Sequence, residues 1–406
     1  MPSDQFLTYG FAGVPADLAG AVGEVLGRAR GCTELRLRVR DRGVGYPVWV
    51  RAGVDERLVV VHDLGGADWG DCLSAVEALA DDQLDARAVT WRLHVFPAII
   101  GIPGVAGAGT VVVVQMAHTL ADGVRAAALA AVLFGRTAPV PVVPATPRWE
   151  AFALPSRAVR AARAHRRLVR DVATGGVAAQ GKSFPTLRSN TRPDGKRSLR
   201  TLVRDRSQLS GPTVTAGVLT AIAQALAGQL RELGDDPVHL GAEVPMAKSG
   251  QRLSRNHFGN VSVGLFPALP PRERAQRIAG ILADRRRRAA HPALLADRAA
   301  FAATPAPLLR WGVAQFDPEV RSDRVIGNTV VSSVHRGPAD LRFGGAPVVL
   351  TTDSMPLSPM MGLTHGVHGI GDTVTISVHG AQSAVGDVDA YTERLAAALD
   401  RGHPVT

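Results

Sequence analysis

The stretch TVVVVQMAHTLADGVRAAALAAVLFG, residues 110–135, decides the architecture. It opens on five β-branched residues, the pattern of a buried strand. After Asp122-Gly123 an alanine- and leucine-rich run has high helix propensity, so the strand passes through a short loop into a helix. His118 falls at that junction. A strand-to-helix junction exposes a side chain at a sheet edge while two rigid elements hold it, and general-base catalysis needs both reach and fixed geometry. An imidazole there can take a proton from an alcohol, amine or thiol near neutral pH and return it to a leaving group, which suits acyl transfer. Asp122, beside Gly123, reads as structural: an N-cap of the following helix, or an ion-pair partner that fixes the loop. Taken alone, the HxxxDG pattern is equally compatible with an ordinary loop histidine whose neighbouring Asp caps a helix.

Outward from this stretch, helix and strand signals alternate. A helix is expected over 15–30, extended runs over 33–40 and 57–62, a helix over 71–82 and a strand over 89–96. The rhythm breaks over 137–200, where a Pro-rich stretch, a basic helix and a Gly/Ser/Asn/Pro-rich segment follow one another. It resumes with strands over 198–204, 238–245, 260–266, 326–334, 346–352 and 372–379. Helices are expected over 213–232, across 271–316 and over 386–401. The fold class is therefore α/β, with strand and helix layers. The chain divides into residues 1–145, a crossover over 146–197, and residues 198–406. A length of 406 residues fits two domains or two fused halves better than one core.

Composition narrows the function classes. No apolar run approaches the roughly 18 to 20 residues needed to span a bilayer, and the first residues show no basic region leading into an apolar one, so the chain reads as cytoplasmic. Cys32 and Cys72 stand far apart in sequence, and no Cys/His spacing suggests a metal site. No HExxH or GxSxG pattern is present, which counts against a metallohydrolase and a serine hydrolase. The net charge of +10 is concentrated in residues 157–170 and in the RRRR run at 285–288. Neither run interleaves aromatics or matches a nucleic-acid-binding motif. They read as solvated helix faces, or as docking surfaces for an acidic carrier protein, a CoA phosphate or a membrane surface, which would make the protein peripheral to a membrane.

Ordered motifs along nearly the whole chain, from Ser3-Asp4-Gln5-Phe6-Leu7 through Leu84-Asp85-Ala86-Arg87, the HxxxDG of His118 to Gly123 and Gly259-Asn260-Val261-Ser262 to Ser332-Ser333-Val334-His335-Arg336-Gly337-Pro338, resemble the wax ester synthase/diacylglycerol acyltransferase family. That family is a branch of the CoA-dependent acyltransferase superfamily, is related to condensation domains and carries an HHxxxDG signature. Ser3-Asp4-Gln5-Phe6-Leu7 resembles the family's opening motif, and Leu35-Arg36-Leu37-Arg38 with Pro47-Val48-Trp49 resembles its F-R-x-R strand and P-x-W. Leu84-Asp85-Ala86-Arg87 with Trp91 resembles LDRxRPLW. Ala242-Glu243-Val244-Pro245-Met246 is similar to VPVS, and Gly259-Asn260-Val261-Ser262 with Leu265-Phe266-Pro267 is similar to GNxxS…LP. Ser332-Ser333-Val334-His335-Arg336-Gly337-Pro338 followed by Gly344-Gly345-Ala346 resembles SNVPGP and the AGA turn.

The resemblance implies two chloramphenicol-acetyltransferase-like halves joined by a crossover, with the active site at their interface. It implies His118 as general base in a direct ternary-complex transfer from an acyl thioester, acyl-CoA or an acyl carrier protein, to an alcohol, small-molecule or lipid acceptor. It further implies that Asp122 pairs with an arginine of an N-terminal strand, Arg36 or Arg38. Asn260, Ser262, Ser332 and Ser333 are the candidate oxyanion or substrate contacts, each equally readable as a turn or strand-end residue. No metal or bound cofactor is expected. Departures are Ala117 at the first His of the signature, Thr215-Ala216 at an Asn-Asp pair, and the His335-Arg336 insertion. They leave two alternatives to storage-lipid synthesis: ester or amide formation in specialised metabolism, and a catalytically silent binding relative.

Overall fold

The computed structural model describes residues 4–43, 45–144, 150–315, 317 and 320–401. Ser3 of the opening motif and part of the Pro-rich stretch, residues 145–149, lie outside them. The first part of the chain runs β1 (Asp4–Phe11), α1 (Leu18–Gly31), β2 (Leu37–Arg40), β3 (Val48–Arg51) and β4 (Val59–Val61). It continues through α2 (Trp69–Ala78), β5 (Trp91–Ile100), β6 (Ala108–Ala117) and α3 (Gly123–Leu133). The crossover holds α4 (Leu154–Ala173) and β7 (Phe184–Pro185).

Next come β8 (Arg197–Asp205), α5 (Val214–Glu232), β9 (Gly241–Ala247), β10 (Phe258–Gly264), α6 (Pro271–Ala289), α7 (Pro292–Ala302) and α8 (Ala306–Ala314). The chain then forms β11 (Arg324–Val325), β12 (Thr329–His335), β13 (Arg342–Phe343), β14 (Ala346–Asp353) and β15 (Leu363–Ile370). It ends on β16 (Thr373–Ala381), α9 (Gln382–Val385) and α10 (Val388–Asp400).

Two six-stranded sheets carry the fold. The first has the order β13-β14-β1-β6-β5-β4 and the second β10-β9-β12-β15-β16-β8. β14 comes from late in the chain yet pairs antiparallel with β1, Leu7 opposite Asp353, so the two parts interlock through the backbone. β1 is a full strand of 8 residues between β14 and β6.

Side-chain alternation explains the layering. Val112 and Val114 of β6 join Leu7, Tyr9 and Phe11 of β1 in a core against α1 and α3. Val111 and Val113 point the other way and meet Phe6, Leu350, the α2 residues Cys72, Leu73 and Val76, and Leu199 of β8. That second core glues the two sheets' surroundings together. A third, around α5 and α10, covers the outer face of the second sheet. Alanines at 126, 127, 130 and 131 let α3 lie close on its sheet, since small side chains set small interaxial distances.

Candidate active site

β6 ends at Ala117, and His118 follows at the mouth of a cleft of about 560 Å³ lined by Asp4, Gln83, Arg87, Thr119 and Asn256 among others. The imidazole is held on two sides. Its Nδ1 lies 3.0 Å from Asn256 Oδ1, and its ring stacks on Phe258 at 5.3 Å between centroids. An amide oxygen accepts, so this contact places the ring proton on Nδ1 and leaves the Nε2 lone pair available as a base.

Asp122 is the N-cap of α3, its Oδ1 accepting from Arg125 N at 3.0 Å. Its Oδ2 accepts from Arg252 Nη1 at 2.5 Å and from His257 N at 2.8 Å. Burial pushes the carboxyl up, but the Arg252 guanidinium and the two backbone donors outweigh it and hold it below the usual carboxylate range. Gly123 opens α3 where β12 approaches, and a Cβ there would sit 3.5 Å from Val334 Cγ2.

The arginine partner differs from the expectation. Arg36 Nη1 donates to Arg30 O and Arg38 Nη1 to Arg87 O at 3.0 Å, and neither reaches Asp122. β2 pairs only with β3 in a separate two-stranded ribbon, so the Arg36–Arg38 segment is not in the sheet that carries the site. Arg252 takes the role from the other part of the chain.

Arg252 belongs to a strap between β9 and β10 that grips the active-site loop at successive residues. Arg255 O accepts from Asp122 N, the Arg255 guanidinium pairs with Glu34 and lies over the Trp49 ring at 4.4 Å, and Asn256 meets His118. Glu34 in turn pairs with Arg125, whose buried guanidinium runs beneath α3. Sequence reasoning missed this strap. It ends directly before the Gly259-Asn260-Val261-Ser262 motif, so the nearest signal was the Asn256-His257 pair immediately upstream.

The oxyanion candidates separate into two groups. Asn260 and Ser262 lie on β10, an edge strand, where Asn260 Nδ2 donates to Glu243 and Ser262 Oγ to Lys182 O. Neither is brought to His118 by any contact among the described residues. Ser332 and Ser333 lie on β12, with Ser333 Oγ 2.8 Å from Thr215 Oγ1 and Val334 against the start of α3. His62, His94, Gln115 and Asp4 form a hydrogen-bonded chain across β4, β5, β6 and β1, and His365 sits between Thr329 and Tyr391. Among the described residues no group of three or more His, Cys, Asp or Glu could hold a metal ion.

Comparison with known proteins follows from this geometry. Residues 256–401 match the WS/DGAT C-terminal domain. The matched segment begins at Asn256, the residue that touches His118. Among solved structures, the fold is shared with the wax ester synthase/diacylglycerol acyltransferase from Marinobacter aquaeolei VT8. The two are 18% identical over 99% of this chain and 94% of that one, with a TM-score of 0.62. The first condensation domain of the calcium-dependent antibiotic synthetase, solved with a substrate analogue, is 15% identical over 98% and 91% of the two chains, with a TM-score of 0.58. The starter condensation domain of rhizomide synthetase in complex with C8-CoA is 16% identical over 98% and 89%, with a TM-score of 0.55. No curated protein matches the sequence. The α/β fold of two six-stranded sheets is thereby shared with these structures.

Proposed function

We propose that this chain is an acyltransferase that moves an acyl group from an acyl thioester, acyl-CoA in the first instance, to a hydroxyl acceptor. The observation that carries this is His118, oriented by Asn256 and opening on a cleft. His118 Nε2 takes the acceptor proton, and the acceptor oxygen attacks the thioester carbonyl. The C–O bond forms, the C–S bond breaks, and the proton on His118 goes to the departing thiolate. No covalent acyl-enzyme and no bound cofactor is required. Of the four oxyanion candidates, Ser332 and Ser333 lie on β12, the strand whose Val334 approaches the start of α3, and are better supported than Asn260 and Ser262 on the edge strand β10. The match of residues 256–401 to the WS/DGAT domain and the condensation-domain fold support the same chemistry. Organisation into residues 1–145 and 198–406 with 146–197 between them belongs to this proposal.

A second reading is ester or amide formation on a specialised metabolite, with a CoA or carrier-bound acyl donor. Ala117 in place of the signature's first His favours it, since that change alters the surroundings of the acceptor without touching the base. Incubating the protein with a panel of acyl-CoAs and carrier-linked acyl groups, together with alcohols and amines, tests both readings. Free thiol and product mass are followed for wild type and His118→Ala. Thiol release that depends on acceptor and is lost in the variant is the expected result; equal turnover in both proteins rejects the base assignment.

A further inference from the structure

The helical layer built on the crossover carries large hydrophobic side chains that no described residue covers. α4 lays a stripe against α7 through residues 154, 157, 161, 164 and 168, a spacing of alternating three and four that keeps one face inward. Two contacts fix the pair as antiparallel: Arg157 Nη1 donates to Ala299 O at 3.0 Å, and His291 Nε2 lies 3.0 Å from Asp171 Oδ2. Phe152, just before α4, and Phe301, near the end of α7, therefore stand at the same end, where the chain turns into α8. Phe152 is 85% exposed, Phe301 66%, Trp311 64% and Val313 66%, with Leu308 exposed beside them. α8 buries only Ala306.

The outer face of α4 supplies the charge. Arg160, Arg163, Arg166, Arg167 and Arg170 are all exposed, and Asp171 is the helix's one acidic residue. The other basic run behaves differently: Arg285 donates to Ala179 O and Arg288 to Ala178 O, so these two hold the crossover in place, and only Arg286 and Arg287 of that run are exposed. Exposed aromatic side chains on the same helical layer as an exposed arginine face match the interfacial region of a bilayer. There the rings enter the headgroup layer and the guanidinium groups meet lipid phosphates. An acidic protein would satisfy the arginines and leave the exposed aromatics without a role.

We infer that α4, the end of α7 and α8 form a face that docks on an anionic membrane surface, with Phe152, Phe301 and Trp311 entering the headgroup layer. This face shares no residue with the His118 cleft, and the inference does not rest on the acyl-transfer reading. The test is co-sedimentation of the full chain with vesicles of phosphatidylcholine alone and of phosphatidylcholine with phosphatidylglycerol. Wild type is expected to sediment with the anionic vesicles and to be released by salt. Phe301→Ser/Trp311→Ser should weaken partition roughly tenfold or more. Arg160→Ala/Arg163→Ala/Arg166→Ala should weaken it by about fivefold per arginine. Circular dichroism checks that both variants fold. Should a variant fail that check, quenching of wild-type tryptophan fluorescence by brominated anionic lipid decides. No vesicle binding, equal binding to both compositions, partition unchanged in both folded variants, absence of quenching, or capture by an acidic carrier protein without vesicle binding would each overturn the inference.

Discussion

Asn256 Oδ1 lies 3.0 Å from His118 Nδ1 across 138 residues of chain, so the imidazole is held by a strap from a distant part of the sequence. Asn256 acts through the histidine, and its removal should leave acceptor binding nearly intact. Asn256→Ala is expected to lower kcat by up to about 100-fold, the scale of a misaligned catalytic group, with KM little changed. His118→Ala removes the proposed base and should cost about 100- to 10,000-fold. Steady-state kinetics on a turned-over acyl-CoA and acceptor pair separate the two. A larger effect of Asn256→Ala on KM than on kcat would place the amide in substrate binding instead.

The Asp122 carboxylate is buried and depends on Arg252. Removing one partner of a buried pair strands the other, so Arg252→Ala should destabilise the fold by about 3 to 5 kcal/mol. Arg36→Ala and Arg38→Ala, which lose only contacts to backbone carbonyls at the surface, should stay within about 0.5 kcal/mol of wild type. Urea unfolding of the three variants checks the order.

Acid should unfold the protein through its histidines. Burial drives His94 down to about 4 and His365 to about 3, and burial with the nearby Arg336 lowers His368. Each folded pKa lies below the unfolded one, so the unfolded chain binds more protons as pH falls. The stability these neutral rings contribute is complete above about 6.5 and is lost as pH falls through the folded values. His94 alone amounts to roughly 3 kcal/mol over that window. Unfolding free energy measured from pH 7 to pH 4 should fall steeply, and His365→Gln should show a shallower fall from a lower starting point. A flat profile in wild type would reject the buried neutral rings.

Two helical glycines should respond with opposite sign. Nothing lies within 4 Å of a Cβ built on Gly27 in α1, so Gly27→Ala should stabilise by about 1 kcal/mol through helix propensity. A Cβ on Gly217 in α5 would lie 1.9 Å from Ser210 O, a backbone atom, so Gly217→Ala should destabilise by about 1 to 3 kcal/mol despite the same propensity gain. Thermal melting of the two variants reads the difference directly.

Legibility followed the range of the interactions involved. The strand β6, the helix α3 and the junction at His118 are written in residues 110–135, because β-branching and helix propensity act within a few residues. β15 was not legible. LTHGVHGI, with two glycines and two histidines, lacks a strand pattern, yet it is the strand between β12 and β16 and is buried throughout. Its Gly366 is explained only by its neighbours: a Cβ there would meet Ser377 Oγ at 2.4 Å and the His368 ring at 2.5 Å.

By itself, the sequence determined the α/β alternation, the place of His118 at a strand end, and Asp122 as the cap of α3. All of these rest on local periodicity and on neighbours close in the chain. Tertiary structure alone decided which arginine pairs with Asp122, that Asn256 meets His118, that Asn260 and Ser262 sit apart on an edge strand, and that Phe152 and Phe301 stand at the same end of the α4–α7 pair. Such pairings join residues far apart in the chain, and they depend on strand order and on the path of the β9–β10 strap, which no local pattern encodes.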